Sequence, residues 1–322
     1  MPGRITDVTG LRVGHAHDEQ GRTGVTVLLC DPPAVGALDR RGAAVSTRQC
    51  DSLLPDHLLS RVDALVLAGG SAFGLDCAAG VMDELASRGI GMMTPYGPVP
   101  IVPTAVIFDL GFGSPNARPT AEMARQAARS AVVEFAEGSV GAGHGATVGK
   151  LLGISSAMKG GVGTASRRTE RGLVVGALAV VNAWGDIVDP ADCRIVAGAR
   201  DPERPDQFLD AARHLGHGRT RPTSAFENTV LAVVAANAKL DKMAAGFVAR
   251  MAQTGLARAV RPCHGPFDGD LVFALSLGEM SADLAVIGQM AADVLAEAVV
   301  RAVQLADGFG VLPDVRSMGA KV

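Results

Sequence analysis

Apolar runs alternate with stretches of helical periodicity along the 322-residue chain. Segments 25–29, 64–68, 101–110, 173–181, 230–236 and 271–277 are rich in Val, Leu, Ile and Ala and are predicted to be strands. Two of them, 173–181 and 230–236, are apolar without alternation, the pattern of strands covered on both faces. Helical spacing covers 72–87, 120–136, 240–254 and 282–306, with Gly255 expected to stop the third. The last helix places Leu284, Ile287, Ala291, Val294, Ala298, Ala302 and Leu305 on one stripe. One long polar stretch, 199–226, separates the apolar elements and is expected to be a linker, a lid or a processing loop.

Composition agrees with a layered, closely packed interior. Hydrophobic residues make up 48% of the chain and charged residues 20%, enough burial to offset chain entropy and exclude global disorder. Aromatics are only 4% while glycines number 40, so the core is built from Ala, Val, Leu and Gly. The net charge of −3, with no basic stripe carrying interleaved aromatics, excludes a nucleic-acid partner. The start, Met1-Pro2-Gly3-Arg4-Ile5-Thr6-Asp7, lacks the apolar segment of a secretory signal, and 173–181 is too short to span a bilayer. Cys30, Cys50, Cys77, Cys193 and Cys263 form no CxxC pair, which suggests neither a disulfide frame nor a zinc site. A cytoplasmic protein with reduced thiols is expected.

Residues with chemical potential sit at the ends of these runs. Gly69-Gly70-Ser71-Ala72-Phe73-Gly74 follows a strand and opens a helix, yet its spacing is neither a dinucleotide fingerprint nor a Walker A loop. It reads as a packing turn, with a carboxylate-binding or pocket-forming role as the alternative. Gly141-Ala142-Gly143-His144-Gly145-Ala146 follows a helical pattern rather than a strand, and Gly149-Lys150-Leu151 lacks the hydroxyl of a phosphate loop, so nucleotide binding is rejected. His144 is expected to be a loop histidine. Lys159 lies in a glycine-rich segment and matters only if it points into a pocket.

Asn182 closes the run 173–181, where it either donates a preorganised hydrogen bond to an oxyanion or simply closes a turn. Asp268 and Asp270 flank Gly269 before the run 271–277; they can share a cation or form a plain turn, and the motif is too short for a calcium loop. Asn228-Thr229 stands where the polar stretch meets the run 230–236. Were the bond before Thr229 cut, one residue would carry both a hydroxyl nucleophile and an amine base. Alone, the dipeptide is also ordinary turn chemistry.

Taken in order, these motifs resemble the L-aminopeptidase/D-esterase family of self-processing hydrolases, which includes β-peptidyl aminopeptidases and nylon-oligomer endohydrolases. The resemblance runs from Ile5-Thr6-Asp7-Val8-Thr9-Gly10-Leu11-Arg12-Val13-Gly14-His15 to the last helix. Gly69-Gly70-Ser71-Ala72-Phe73-Gly74-Leu75-Asp76, Lys159-Gly160-Gly161-Val162-Gly163-Thr164-Ala165-Ser166, Asn228-Thr229 and Pro266-Phe267-Asp268-Gly269-Asp270-Leu271-Val272-Phe273-Ala274 carry it.

The resemblance implies an α/β fold, a four-layer αββα sandwich like that of N-terminal-nucleophile hydrolases but differently connected. It implies one hydrolase domain over 1–322 that cuts itself between Asn228 and Thr229 into fragments 1–228 and 229–322. Thr229 then falls at the nucleophile, Asn182 at the oxyanion-stabilising position, and Lys159 at the pocket lysine. Asp268 and Asp270 fall beside the nucleophile's amine. Thr229 with two aspartates is nearer the nylon-oligomer endohydrolase branch than the aminopeptidase branches, which use a serine nucleophile with Ser and Glu at the paired positions.

The expected activity is hydrolysis of a small peptide or amide substrate without metal or organic cofactor, by a homo-oligomer (a tetramer or larger) with no nucleic-acid or membrane partner. Two other classes fit the same residues: an acyltransferase of the ornithine acetyltransferase type, and a non-catalytic binding module.

Overall fold

The computed structural model describes residues 3–219 and 228–319. Residues 220–226 of the polar stretch therefore lie outside the described residues; its described part carries a short helix, α3 (Ala211–Gly216). Nine strands form the main sheet system. In chain order they are β1 (Leu11–Asp18), β2 (Thr23–Arg40), β3 (Thr47–Arg48), β4 (Arg61–Ala68), β5 (Thr104–Val106), β6 (Gly161–Arg168), β7 (Val174–Asn182), β8 (Thr229–Ala238) and β9 (Leu271–Met280). The other helices are α1 (Cys77–Ser87), α2 (Ala121–Arg129), α4 (Lys242–Ala259) and α5 (Leu284–Gln304).

The long strand β2 joins two sheets. Its first half pairs with β1 and β4, Val25 opposite Ala68, and its second half pairs with β9, Val35 opposite Ser276. The register slips between Leu29 and Ala34, at Pro32 and Pro33, which have no N–H to give a ladder. One sheet therefore runs β6-β7-β8-β9-β2 and the other β2-β4-β5-β3 with β1 at β2.

Side-chain alternation along the strands builds three apolar interfaces from these two sheets. Leu231 and Val233 of β8 join Leu178, Phe273, Leu28 and Leu65 between the sheets. Val230, Ala232 and Val234 face the other way, against Ala249, Ala252 and Leu295 of α4 and α5. On the far side, Val25, Val27 and Val66 pack on Val81 and Leu85 of α1 and Ala124 and Ala127 of α2. Helices, sheet, sheet and helices make four layers, the αββα sandwich expected from the resemblance. No helix among the described residues is long and apolar enough to cross a membrane.

Several boundaries differ from the sequence reading, each for a local reason. The strand expected over 101–110 pairs only at Thr104–Val106, since Pro103 cannot donate to a ladder. The helix expected from Ala72 begins as a 3₁₀ turn, Ser71–Asp76, and α2 starts one residue after its cap Thr120 and ends at Arg129. Gly255 does not stop α4. A Cβ there would lie 2.0 Å from the Ala292 carbonyl oxygen, so glycine permits α4 and α5 to touch backbone to backbone.

Candidate active site

Strand direction gathers the candidate residues at one end of the first sheet. β8 runs antiparallel to β7 and parallel to β9. The beginning of β8, the end of β7 and the approach to β9 therefore meet. Thr229 is directly opposite Asn182 in the register, and Asn228 bridges to Asp268. Main-chain bonds from Arg41 and Gly42 to the Asp270 carbonyl, and from Ala44 to that of Asp268, fix this approach from the side of β2. Asn182, Asn228, Thr229, Asp268 and Asp270 are all buried.

The peptide bond between Asn228 and Thr229 is held in a closely defined setting. The Thr229 hydroxyl donates to the Asn228 carbonyl oxygen at 2.5 Å, and the Gly269 N–H donates to the same oxygen at 2.9 Å. Gly269 is required for this approach: a Cβ there would stand 2.6 Å from the Thr229 Oγ1. Asn228, at 3% exposure, and Thr229, at 6%, bury this bond in the folded chain. The hydroxyl of Thr229 lies beside the carbonyl group, and a backbone donor is already aimed where negative charge would develop on attack.

Asn182 is held at both ends of its amide. Its Oδ1 accepts from the Thr147 N–H at 3.0 Å and from the Lys150 Nζ at 2.8 Å, while Nδ2 donates to the Phe108 carbonyl at 3.0 Å. Lys150 also donates to the carbonyls of Asn182 and Thr147, at 3.0 and 3.2 Å. Lys159 is placed differently. Its fully buried Nζ donates to the carbonyls of Gly143, Ala146 and Gly160 at 2.8, 2.9 and 2.7 Å, which takes up all three ammonium donors. It thus braces the 143–146 loop and offers no hydrogen to a group at Thr229, whereas Lys150 is the ammonium brought to Asn182. Burial pulls Lys159 down to about 7, against the opposing charge of Asp109.

Sequence reasoning had set Lys150 aside with the phosphate-loop motif; the signal available was a lone ammonium inside the apolar segment Val148-Gly149-Lys150-Leu151-Leu152. The Gly69–Gly74 turn serves an internal carboxylate. The Gly70 N–H donates to Asp109 at 2.7 Å, and a Cβ on Gly69 would lie 2.0 Å from that carboxylate.

The two aspartates have different partners. Asp270 Oδ1 accepts the Val230 N–H at 2.8 Å, and its Oδ2 accepts the N–H and faces the Nδ1 of His264, each at 3.1 Å. His264, held at a φ of +59°, was missed by the sequence reading, because nothing local marks it as the partner of a carboxylate six residues later. Burial works against its charged form, but the bond to Asp270 carries it up to about 10. Asp268 accepts the Gly265 N–H at 2.7 Å. Burial, reinforced by the charge of Asp270, pushes its carboxyl up to about 6. An anionic pair next to the first residue of β8 suits an ammonium at that residue.

Comparison with known proteins places the chain in a family and a fold. The model of peptidase family S58 matches residues 3–311. An uncharacterized aminopeptidase of Mycobacterium tuberculosis is 41% identical over 345 residues, covering 98% of this chain and 97% of its own. A 6-aminohexanoate-oligomer endohydrolase of Paenarthrobacter ureafaciens is 30% identical over 92% of this chain and 84% of that protein. Among solved structures, the L-aminopeptidase D-Ala-esterase/amidase of Ochrobactrum anthropi, described as a variant of the Ntn hydrolase fold, superposes with a TM-score of 0.71. That likeness, at 22% identity over 95% of this chain and 88% of the other, is one of fold. The resemblance first carried by the glycine motifs and Asn228-Thr229 thus extends over nearly the full length, and the chain belongs to peptidase family S58, as a hydrolase of amide bonds.

Proposed function

We propose that Thr229 first cuts the bond that precedes it and then, as a new N-terminus, hydrolyses amide bonds of small substrates. The observation that carries this reading is the buried Thr229 hydroxyl 2.5 Å from the Asn228 carbonyl oxygen, with the Gly269 N–H on the same oxygen. In the first reaction Oγ1 bonds to the Asn228 carbonyl carbon and the Thr229 nitrogen leaves, taking up the hydroxyl proton. The resulting ester is hydrolysed by water, leaving a carboxylate on Asn228 and a free amine on Thr229.

In the second reaction the same oxygen attacks a substrate carbonyl. The amine, with an ordinary pKa of roughly 7.7–8.0, is partly neutral near pH 7, takes the hydroxyl proton and passes it to the leaving nitrogen. Water then releases the acyl group from Thr229. Asn182, fixed by Lys150 and Thr147, supports the tetrahedral oxyanion. Asp268 and Asp270, with His264 holding Asp270, orient the amine. Lys159 contributes through the loop it braces. This sequence uses no metal and no organic cofactor.

The names of the relatives support three substrate classes to try, amino-acid amides, short peptides including β-peptides, and oligomers of ω-amino acids. A panel of these three, assayed for released amine, is expected to show turnover of at least one. No turnover of any, or transfer of the acyl group to an added amine in preference to water, would contradict the hydrolase reading of this site.

The uncut chain carries a pH signature of its own. Asp268 is raised to about 6, above its unfolded value of about 3.9, so its stabilising contribution is complete below the unfolded value and lost as pH rises through the folded one. At pH 8 the ionised, buried Asp268 is a cost. In a Thr229→Ala background, where no amine is released, Asp268→Asn keeps an acceptor for Gly265 and is expected to raise stability by about 2–3 kcal/mol at pH 8. The gain should vanish near pH 4. Urea unfolding at the two pH values measures it, and an equal effect at both would show that ionisation is not the cause.

A further inference from the structure

A second cluster of chemistry lies outside this site, where the end of β1 meets the loop before Thr147. His144 is 1% exposed, and its Nδ1–H donates to the Ser139 carbonyl at 2.9 Å. That bond places the ring's lone pair on Nε2, which is buried and has no hydrogen-bond partner among the described residues. Nε2 faces the Oε2 of Glu19 at 3.6 Å. The other oxygen of the same carboxylate lies 3.0 Å from the His17 Nε2. The buried Nε2 of His144 and a carboxylate oxygen of Glu19 thus face one another 3.6 Å apart.

We propose that His17, Glu19 and His144 bind one divalent transition-metal cation of the zinc type through two imidazole nitrogens and one carboxylate. Their ligand atoms all lie within 4.8 Å of one another. A tetrahedral ion with bonds of about 2.0–2.1 Å separates its ligand atoms by about 3.3 Å, so the side chains draw together from their present spread of up to 4.8 Å when they close on it. The Ser139 carbonyl on His144 Nδ1 is the outer partner that metal-bound imidazoles ordinarily have.

The His17 and His144 rings stack 4.4 Å apart with planes 17° from parallel, so closure on an ion requires the His17 ring to turn. His17 has 26% of its side chain exposed, and this turn exchanges its 3.0 Å bond to Glu19, its stack on His144 and a 3.4 Å contact from the Gly141 N–H for the bonds to the ion. Glu19, with 73% of its side chain exposed, leaves the fourth position to water. The ion would tie β1 to the loop whose carbonyls hold Lys159 and whose Thr147 N–H holds Asn182. It is a clamp on the support of the site and takes no part in the chemistry at Thr229.

The test uses untagged wild-type protein stripped with a chelator, then His17→Ala and Glu19→Gln, two changes at surface-facing side chains. After equimolar zinc and gel filtration, the wild type is expected to keep one zinc per chain and to melt at a higher temperature with zinc than without it. Each variant should keep the metal-free melting temperature of the wild type, show no rise with zinc, and bind zinc at least about 10-fold more weakly, the least that loss of even an outer partner brings. Cobalt(II) should give tetrahedral d–d absorption in the wild type and not in the variants. Zinc retained equally by wild type and variants, or not retained by the wild type, overturns the proposal. Neither result bears on cleavage at Thr229, which is scored separately on a denaturing gel.

Discussion

Thr229→Ala is expected to remain a single uncut chain and to lose roughly 10⁶-fold in kcat, the scale for removing a covalent nucleophile. The change removes the γ-methyl and the hydroxyl, and it is the hydroxyl that makes the 2.5 Å bond to the carbonyl of Asn228. Both residues are buried. Thr229→Ser keeps the oxygen and should still be cut, which separates loss of the nucleophile from damage to the fold. Time-resolved denaturing gels and turnover of the best amide from the panel read the two effects. Cleavage of the alanine variant at the same bond would assign the reaction to another group.

Asn182→Ala is expected to lower kcat by about 10²–10³-fold with a smaller change in KM, the cost of removing one oxyanion donor. Its amide is positioned with little freedom: Lys150 and Thr147 fix Oδ1, Phe108 receives Nδ2, and the residue is wholly buried opposite Thr229. A group held in this way keeps its direction without reorganising during reaction. Removal also strips the Lys150 ammonium of one acceptor in the interior, so a circular-dichroism melt of the variant accompanies the kinetics. A variant that folds normally and turns over at the wild-type rate would remove Asn182 from the mechanism.

How far the sequence disclosed this site depended on strand direction. Asn182, Thr229 and the pair Asp268 and Asp270 were legible because each marks the end or approach of an uninterrupted apolar run, and three adjacent strands bring those ends together. Lys150 and His264 were not, since each acts through a partner many residues away or across a turn with no periodic signal. Lys159 stands out in the sequence for its glycine-rich setting, while two of its three carbonyl partners, Gly143 and Ala146, come from a different loop.

The fold shows the same division. Buried strands such as β7 and β8 are apolar on both faces and stand out, whereas β1 and β6 carry His, Arg, Gly and Ser and were missed. The extension of β2 past two prolines was hidden because proline ordinarily ends a ladder. The sequence predicts a helix stop at Gly255 because the tertiary role of that residue, contact with Ala292, has no local trace.

The intact mass of the purified wild-type protein, with the N-terminal sequence of each species, tests the central claim most directly. Two fragments are predicted, one ending at Asn228 and one beginning at Thr229. A chain that stays whole while it hydrolyses amides, or one cut at any other bond, would contradict it.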